Sequence, residues 1–226
     1  MPGRLFLTDD GNWLQLLGPA RGEAVRPALF LDRDGVVVEE TNYLCRAENV
    51  AIIAGAAATI ARANAAGWFV AIVANQSGIG RGYYDWTAFA AVQERLLDEF
   101  RAAGARIDLV AACPFHPEAK PPYRHADHPW RKPRPGMLLE AARRLPIDLS
   151  ASWIVGDRAS DMAAGRAAGL AGGLHVRSGH GRGASRAMAV AEAGDGFVVR
   201  CGETVAAMAA ILDESGTVGG LDTPNG

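Results

Sequence analysis

Short apolar runs recur along this chain, each closing on a polar or glycine-containing turn, and most are followed by a stretch with apolar positions three and four residues apart. Residues 28–31, Ala-Leu-Phe-Leu, run straight into Asp32-Arg33-Asp34-Gly35. A continuous apolar run bounded by a turn signal predicts a strand covered on both faces, as in a parallel sheet, although so short a run taken alone also allows a helix. Residues 68–74, 107–112, 152–155, 172–176 and 196–199 repeat the pattern. Between these runs, helices are predicted over 54–66, ended by Gly67, and from Asp85 as N-cap through Phe89, Val92, Leu96, Leu97 and Phe100. Further helices are predicted over 135–144, from the acidic turn at 157–161 to a C-cap at Gly169, over 184–192 and over 203–213. Such alternation of strand and helix predicts an α/β fold built on a parallel sheet. Upstream, residues 4–7 and 12–17 flank Thr8-Asp9-Asp10-Gly11, the signature of a β-hairpin.

These signals divide the chain into an N-terminal β extension and linker over 1–27, one α/β domain over 28–214, and a tail over 215–226 whose Gly, Thr, Pro and Asp content predicts disorder. A length of 226 residues suits one domain with extensions. Net charge is −2, so nothing marks the chain as a nucleic-acid binder, and a small molecule is the expected partner of a monomer. No apolar stretch approaches the roughly 20 residues of a membrane helix, and no signal-peptide pattern opens the chain, which leads us to expect a cytoplasmic protein away from membranes. Cys45, Cys113 and Cys201 form no Cys-x-x-Cys pair and leave an odd count, as expected of reduced thiols.

Chemistry gathers where the predicted strands end. In open α/β sheets ligands bind outside the carboxyl ends of the strands, which is where Asp32, Asp34, Asn75, Asp157 and Asp161 fall. Asn75-Gln76-Ser77-Gly78-Ile79-Gly80-Arg81-Gly82 reads as a polar, glycine-rich loop whose backbone N–H groups are free to converge on an anion. Taken singly, the first motif is also consistent with an Asp-Gly turn after a core strand, and the second with an ordinary connection. Residues 113–134 form a loop rich in proline and histidine, long enough to be either functional or disordered.

Taken together and in order, Asp32-x-Asp34-Gly35, Asn75 after the second core strand, Lys132 in the long loop and Gly156-Asp157-x-x-x-Asp161 resemble the haloacid dehalogenase superfamily of phosphohydrolases. Leu31–Gly35, Asn75–Gly82 and Arg131-Lys132-Pro133-Arg134-Pro135-Gly136-Met137 look like its heptose bisphosphate phosphatase branch, close to the histidinol-phosphate phosphatases. The resemblance covers residues 28–199 and implies a Rossmann-like domain. With only short segments between Gly35 and Gly55, and a loop at 113–134, the enzyme is expected to be capless. By resemblance, Asp32 is the nucleophile, Asp34 the general acid and base, and Lys132 the cation facing the phosphoryl oxygens. Mg²⁺ would be held by Asp32, Asp157 and the Asp34 carbonyl, with Asp161 ordering its surroundings. Asn75, Gln76, Ser77, Arg81, Arg131 and Arg158 would bind substrate, a phosphorylated sugar. Histidinol phosphate is the enzyme alternative, and a weakened phosphate-binding module is the alternative of another class.

Two positions depart from the pattern. The superfamily usually ends its second strand with Ser or Thr, where this chain has Ala74. Relatives in this branch often carry zinc on Cys-x-His and Cys-x-Cys in the long loop, whereas here Cys113 stands with Phe115, His128 and Trp130. Cys113, His116, His125 and His128 offer another tetrahedral set by spacing. The expected state is a metal-free loop ordered by Phe115, Tyr123 and Trp130.

Overall fold

The computed structural model describes residues 6–18 and 24–217. Residues 4–5 of the first hairpin arm, 19–23 of the linker and 218–226 of the tail lie outside them. Seven strands form one sheet in the order β1-β4-β3-β2-β5-β6-β7. They are β1 (Trp13–Leu16), β2 (Ala28–Leu31), β3 (Phe69–Asn75), β4 (Leu109–Cys113), β5 (Trp153–Gly156), β6 (Gly172–Val176) and β7 (Val198–Gly202). All neighbours are parallel except β1, which runs antiparallel to β4 along the edge. The hairpin extension therefore completes the sheet: Leu7 bridges Trp13, and the second arm pairs Trp13 with Ala112.

β2 lies at the centre, and all four of its residues are buried. Alternation along the strand sends Leu29 and Leu31 into one core layer with Ile60, Phe89 and Met208, and Ala28 and Phe30 into the other with Met137, Leu138 and Met162. Burying each of these large side chains contributes about 1.5–3 kcal/mol, which explains why the first apolar run carries no polar residue. The helices α1 (Ala56–Ala65), α3 (Trp86–Ala102), α4 (Gly136–Arg144), α5 (Ala159–Ala167), α6 (Ala184–Val190) and α7 (Met208–Thr217) cover the sheet. Residues 215–217, expected in the tail, continue α7.

Other expectations shift as well. The glycine-rich stretch after β3 is a short helix, α2 (Ser77–Arg81), rather than a loop. Its glycines serve close packing: a side chain on Gly78 would run into Tyr84 and Tyr43, and one on Gly80 would meet the Pro114 carbonyl at 2.2 Å. β7 also starts two residues later than the apolar pattern predicts.

Because β3 and β5 flank β2 on opposite sides, the chain reverses its direction of travel across the sheet there. That switch point leaves a crevice at the carboxyl ends of β2, β3 and β5. Residues 36–54 form only a short flap tied back by bridges Asp34 to Val38 and Val38 to Ile52, so no lid domain covers the crevice among the described residues.

Candidate active site

A cavity of about 540 Å³ opens at this crevice. Asp32, Asp34, Asn75, Lys132, Arg158 and Asp161 are among its walls, together with Gln76, Ser77, Arg81 and Arg131. The parallel pairing that sets β2 between β3 and β5 thus brings together side chains from every motif singled out in the sequence.

Asp32 follows the last residue of β2, its N–H donating to the Val155 carbonyl at 3.0 Å. Its Oδ1 accepts from the Arg33 N–H at 2.8 Å and pairs with Lys132 Nζ at 3.0 Å. Lys132 Nζ also donates to the Val73 carbonyl at 2.8 Å and pairs with Asp161 Oδ1 at 2.6 Å. The Val73 carbonyl takes one ammonium proton, and the two carboxylates pair with the charge. Burial works against the charge on Lys132, but the Asp161 and Asp32 carboxylates outweigh it and hold its pKa above the ordinary value. Asn75 fixes the lysine from behind, its amide donating to the Lys132 carbonyl at 3.0 Å and accepting from the Lys132 N–H at 3.1 Å.

Asp161 sits in the first turn of α5, where its Oδ2 accepts from the Arg158 N–H at 3.0 Å and its charge favours the helix N-terminus. Asp157 lies just beyond β5. Its Oδ2 accepts from the His180 N–H at 2.7 Å, whereas the buried Oδ1 has no hydrogen-bond partner among the described residues. Gly35 and Gly179 close over this carboxylate. Both have positive φ, and a Cβ on either would lie 2.6 or 2.3 Å from Asp157 Oδ2, so these two turns need glycine.

The donor oxygens of Asp32, Asp157 and Asp161 lie within 4.8 Å of one another. Burial pushes the Asp32 carboxyl up to about 7, with Asp161 and Asp157 adding to the rise and Lys132 opposing it. Burial and Asp161 push Asp157 up to about 6. Three crowded carboxylates facing one ammonium leave an excess of negative charge that a cation would neutralise. The donor set is all oxygen, and Asp157 Oδ1 is an unfilled acceptor, so the residues present fit a hard divalent ion such as Mg²⁺.

Asp34 turns to the other side of the cavity. Its carboxylate accepts from Arg33 Nε at 3.2 Å, Arg33 Nη2 at 3.0 Å and Gln76 Nε2 at 2.8 Å. Gln76 lines the cavity, but both ends of its amide are engaged by protein groups, the oxygen accepting from Arg33 Nη2 at 3.1 Å and from the Tyr84 hydroxyl. Ser77 opens α2 beside it. Arg81 forms the rim, donating to Tyr43 Oη at 3.2 Å and lying 2.9 Å from His116 Nε2 and 3.1 Å from Glu118. Arg131 is anchored by donating to the Phe115 carbonyl at 3.0 Å, and Arg158 is half exposed, 3.9 Å from Asp157. Arg134 pairs with Asp127 on the surface and is absent from the cavity wall. Ala74 lies one residue inside β3, and the strand-end side chain on the cavity wall is Asn75.

Sequence reading passed over three participants. Arg33 and Tyr84 stand behind Asp34, and His180 closes on Asp157 and approaches Glu40 at 3.5 Å. Arg33 stands between the two aspartates of the first motif, where no local pattern distinguishes it from a surface charge, although it is fully buried. His180 follows β6 at the same sheet edge, in a Ser-Gly-His-Gly turn.

In the long loop, the four residues proposed by spacing as a metal set do not converge. Among the described residues, no three of Cys113, His116, His125 and His128 bring donor atoms within 4.8 Å of one another. Cys113 Sγ is 3.9 Å from His128 Nδ1, His116 faces Arg81 in the cavity, and Phe115 stacks flat on His128 at 3.8 Å. Burial pushes the Cys113 thiol up to about 12. This donor set does not fit zinc.

Comparison with known proteins agrees with the geometry. Residues 129–200 match the HAD-hydrolase-like family. The D-glycero-beta-D-manno-heptose-1,7-bisphosphate 7-phosphatase of Mesorhizobium japonicum is 47% identical over 75% of this chain and 78% of its own length. The enzyme of the same name from Rhodopseudomonas palustris is 45% identical over 65% of this chain and 82% of its own. Among solved structures, a HAD-like phosphatase from Mesorhizobium loti superposes with a TM-score of 0.83 at 38% identity, covering 98% of this chain and 100% of that one. The D,D-heptose 1,7-bisphosphate phosphatase of B. bronchiseptica, complexed with magnesium and phosphate, gives 0.69 at 31% identity, covering 83% and 98%. With its carboxylates and lysine in register at the sheet switch point, this chain is a phosphoric monoester hydrolase belonging to the heptose bisphosphate phosphatase family of HAD-like hydrolases.

Proposed function

We propose that this protein hydrolyses the C7 phosphate of D-glycero-D-manno-heptose 1,7-bisphosphate, with Mg²⁺, as a cytoplasmic monomer. The observation that carries this reading is the convergence of Asp32, Asp34, Lys132 and Asp161 on one cavity, with Asp157 buried beside Asp32 and Asp161, in a chain 47% identical to an enzyme of that name. Asp32 attacks phosphorus through its carboxylate and takes the phosphoryl group as an acyl phosphate while the sugar oxygen departs. Asp34 gives that oxygen its proton, then removes one from the water that attacks the aspartyl phosphate. Lys132 holds its positive charge against the phosphoryl oxygens and the nucleophile together, fixed by Asn75 and Asp161 so that no reorganisation is needed. Asp32 and Asp157, with the Asp34 carbonyl, would hold the metal, and Asp161 keeps lysine and helix in register. Bound Mg²⁺ supplies charge neutralisation between the carboxylate nucleophile and the anionic phosphate.

Beyond the reacting phosphate the rim is cationic. Ser77, Arg81, Arg131 and Arg158 surround the opening, and guanidinium groups suit a second phosphate or vicinal sugar hydroxyls. Burial, followed by the neighbouring Arg81 and Arg158 charges, lowers the Arg131 pKa, so a second anion there would relieve repulsion. The free thiols of Cys45, Cys113 and Cys201 suit a reducing compartment. The test is phosphate release from heptose bisphosphate and from histidinol phosphate by purified protein, with and without Mg²⁺. The expected result is a kcat/KM at least about tenfold higher for the heptose, lost on chelation and restored by Mg²⁺. Faster turnover of histidinol phosphate would overturn the substrate assignment.

A further inference from the structure

On the Asp34 side of the cavity lies a polar cluster that the reaction as described does not use, with Gln76 and Tyr84 on the wall and Arg33 buried behind them. Arg33 is the residue between the two aspartates, and its side chain is 1% exposed. A charge so deeply buried is costly unless it is paired, and its partner is the Asp34 carboxylate, while Nη1 has no hydrogen-bond partner among the described residues. The guanidinium carbon also lies over the Phe89 ring at 5.1 Å. Its Nη2 reaches two acceptors, Asp34 Oδ2 at 3.0 Å and Gln76 Oε1 at 3.1 Å. The Tyr84 hydroxyl donates to the same Gln76 oxygen. Burial holds the Tyr84 phenol above its ordinary pKa, so it remains a donor.

Two donors on one side-chain oxygen settle which way the Gln76 amide points. Its NH₂ must face Asp34, and Nε2 donates to Asp34 Oδ2 at 2.8 Å. The two carboxylate oxygens are then unequal. Oδ2 receives Arg33 Nη2, Gln76 Nε2 and a shared contact from Arg33 Nε at 3.2 Å, whereas Oδ1 receives only the other half of that shared contact, also at 3.2 Å. An oxygen already accepting such N–H groups has no room for a proton of its own.

We propose that Arg33, Gln76 and Tyr84 are positioning residues that lock Asp34 Oδ2 and leave Oδ1 as the oxygen that delivers the proton to the departing alkoxide. The proposal rests on the reading of Asp34 as the general acid. In the first step the Asp32 oxygen forms a bond to phosphorus, the bond from phosphorus to the sugar oxygen breaks, and the proton on Asp34 Oδ1 passes to that oxygen. Asp34 is left as a carboxylate, ready to take a proton from water in the second step.

Such a role makes a demand that a merely structural ion pair does not. A sugar alkoxide needs its proton to leave, and p-nitrophenolate does not, so loosening Asp34 must penalise the first ester far more than the second. The experiment compares kcat/KM, which reports steps through loss of the leaving group, for heptose bisphosphate and p-nitrophenyl phosphate in wild type, Tyr84→Phe, Gln76→Met and Arg33→Lys. Gln76→Met is expected to lower the value for the sugar ester about tenfold or more and for the aryl ester less than about twofold. Tyr84→Phe should act in the same direction and less strongly. Should Arg33→Lys fail to fold, the two nearly isosteric variants decide the matter. An equal loss on both esters would overturn the positioning role while leaving the phosphatase reading intact. Wild-type protein inactive on both esters would overturn the phosphatase reading, and the positioning role with it.

Discussion

The two walls of the cavity are built on different principles. On the strand-end wall, Asp32, Asp161 and the Val73 carbonyl lie between 2.6 and 3.0 Å from the Lys132 ammonium, and Asp157 beside them is held by the His180 N–H. On the wall formed by residues 114–131, order comes from aromatic packing. Phe115 lies on His128 and against Tyr123, Tyr123 accepts from Trp86 Nε1 at 3.1 Å, and Trp86 stacks on Trp13 of the N-terminal hairpin. Asp10, in the turn of that hairpin, lies 3.5 Å from His128. The first wall carries charge that must be exact in placement to do chemistry. The second holds a shape, and many apolar combinations hold a shape equally well. Substitutions on the first wall should therefore act on kcat, and those on the second on stability and KM.

The sharpest test of that division is Asp32→Asn. Burial already disfavours the Asp32 carboxylate, holding its pKa at about 7, so a neutral amide of the same shape costs the fold little. Turnover should fall by on the order of 10³ or more, because an amide does not form the acyl phosphate, while the melting temperature stays level or rises. Residual activity above a few per cent of wild type would remove Asp32 from the nucleophile's role.

Lys132→Met should damage turnover nearly as much and, unlike Asp32→Asn, stability as well. It leaves Asp32 and Asp161 without their shared cation, and breaking a buried pair from one side costs about 3–5 kcal/mol. Thermal unfolding would record that loss beside a collapse of kcat. A stable but inactive variant would show that the carboxylates, and not the lysine, organise this wall.

Across the cavity, Trp13→Ala removes a fully buried side chain that touches Phe6, Trp86 and Phe89. We expect a loss of about 3 kcal/mol in stability, with KM for the sugar raised and kcat within about twofold. A fall in kcat as large as that of a strand-end variant would erase the distinction between the walls.

The same contrast explains what was legible in the sequence. Carboxylates at strand ends could be placed from Asp32-x-Asp34 and Asp157-x-x-x-Asp161 because a parallel sheet of buried apolar runs brings its strand ends to one edge whatever the helices do. Lys132 was placed by resemblance alone, since nothing local in 113–134 says that a lysine from that loop returns to Val73. The helix at Ser77–Arg81 was hidden because glycine lowers helix propensity, and only the tertiary contacts of Gly78 and Gly80 reveal why it is tolerated. Arg33 reads as surface charge in sequence, and its burial depends on Gln76, which is 43 residues away. Trp13 looked like part of an appendage because an antiparallel edge strand added to a parallel sheet leaves no periodic signal of its partner.

A gentler probe separates the walls by metal and pH. Asp32 and Asp157 are held up to about 7 and about 6, above their ordinary value of 3.8. Their contribution to stability is thus fully present below about 3.8 and is lost as pH rises through 6 to 7, where the fold must carry both charges. A cation that neutralises them should stabilise most where they are ionised. Calorimetry should therefore show a larger rise in melting temperature with Mg²⁺ at pH 8 than at pH 5. An equal rise at both would place the responding groups elsewhere.

The smallest expected effect is a null one, on the long-loop wall. Zinc in a closed site needs thiolates and imidazoles turned onto one point. Here Cys113 is a buried thiol pushed up to about 12, His128 Nδ1 accepts from the Trp130 N–H at 3.2 Å, His125 Nδ1 from the Asp127 N–H at 3.2 Å, and His116 Nδ1 from the Glu118 N–H at 3.1 Å. Each imidazole is thus occupied by its own turn, and Phe115 lies against the face of His128. Protein purified without added metal should contain no stoichiometric zinc by elemental analysis, and Cys113→Ser should leave its metal content and its response to chelators unchanged. The contrary finding would be one zinc per chain, lost with several degrees of melting temperature in both Cys113→Ser and His128→Ala. It would mean that this wall, like the other, is held by charge, because the imidazoles would have to abandon their turns and Phe115 would have to swing off His128 to admit the ion.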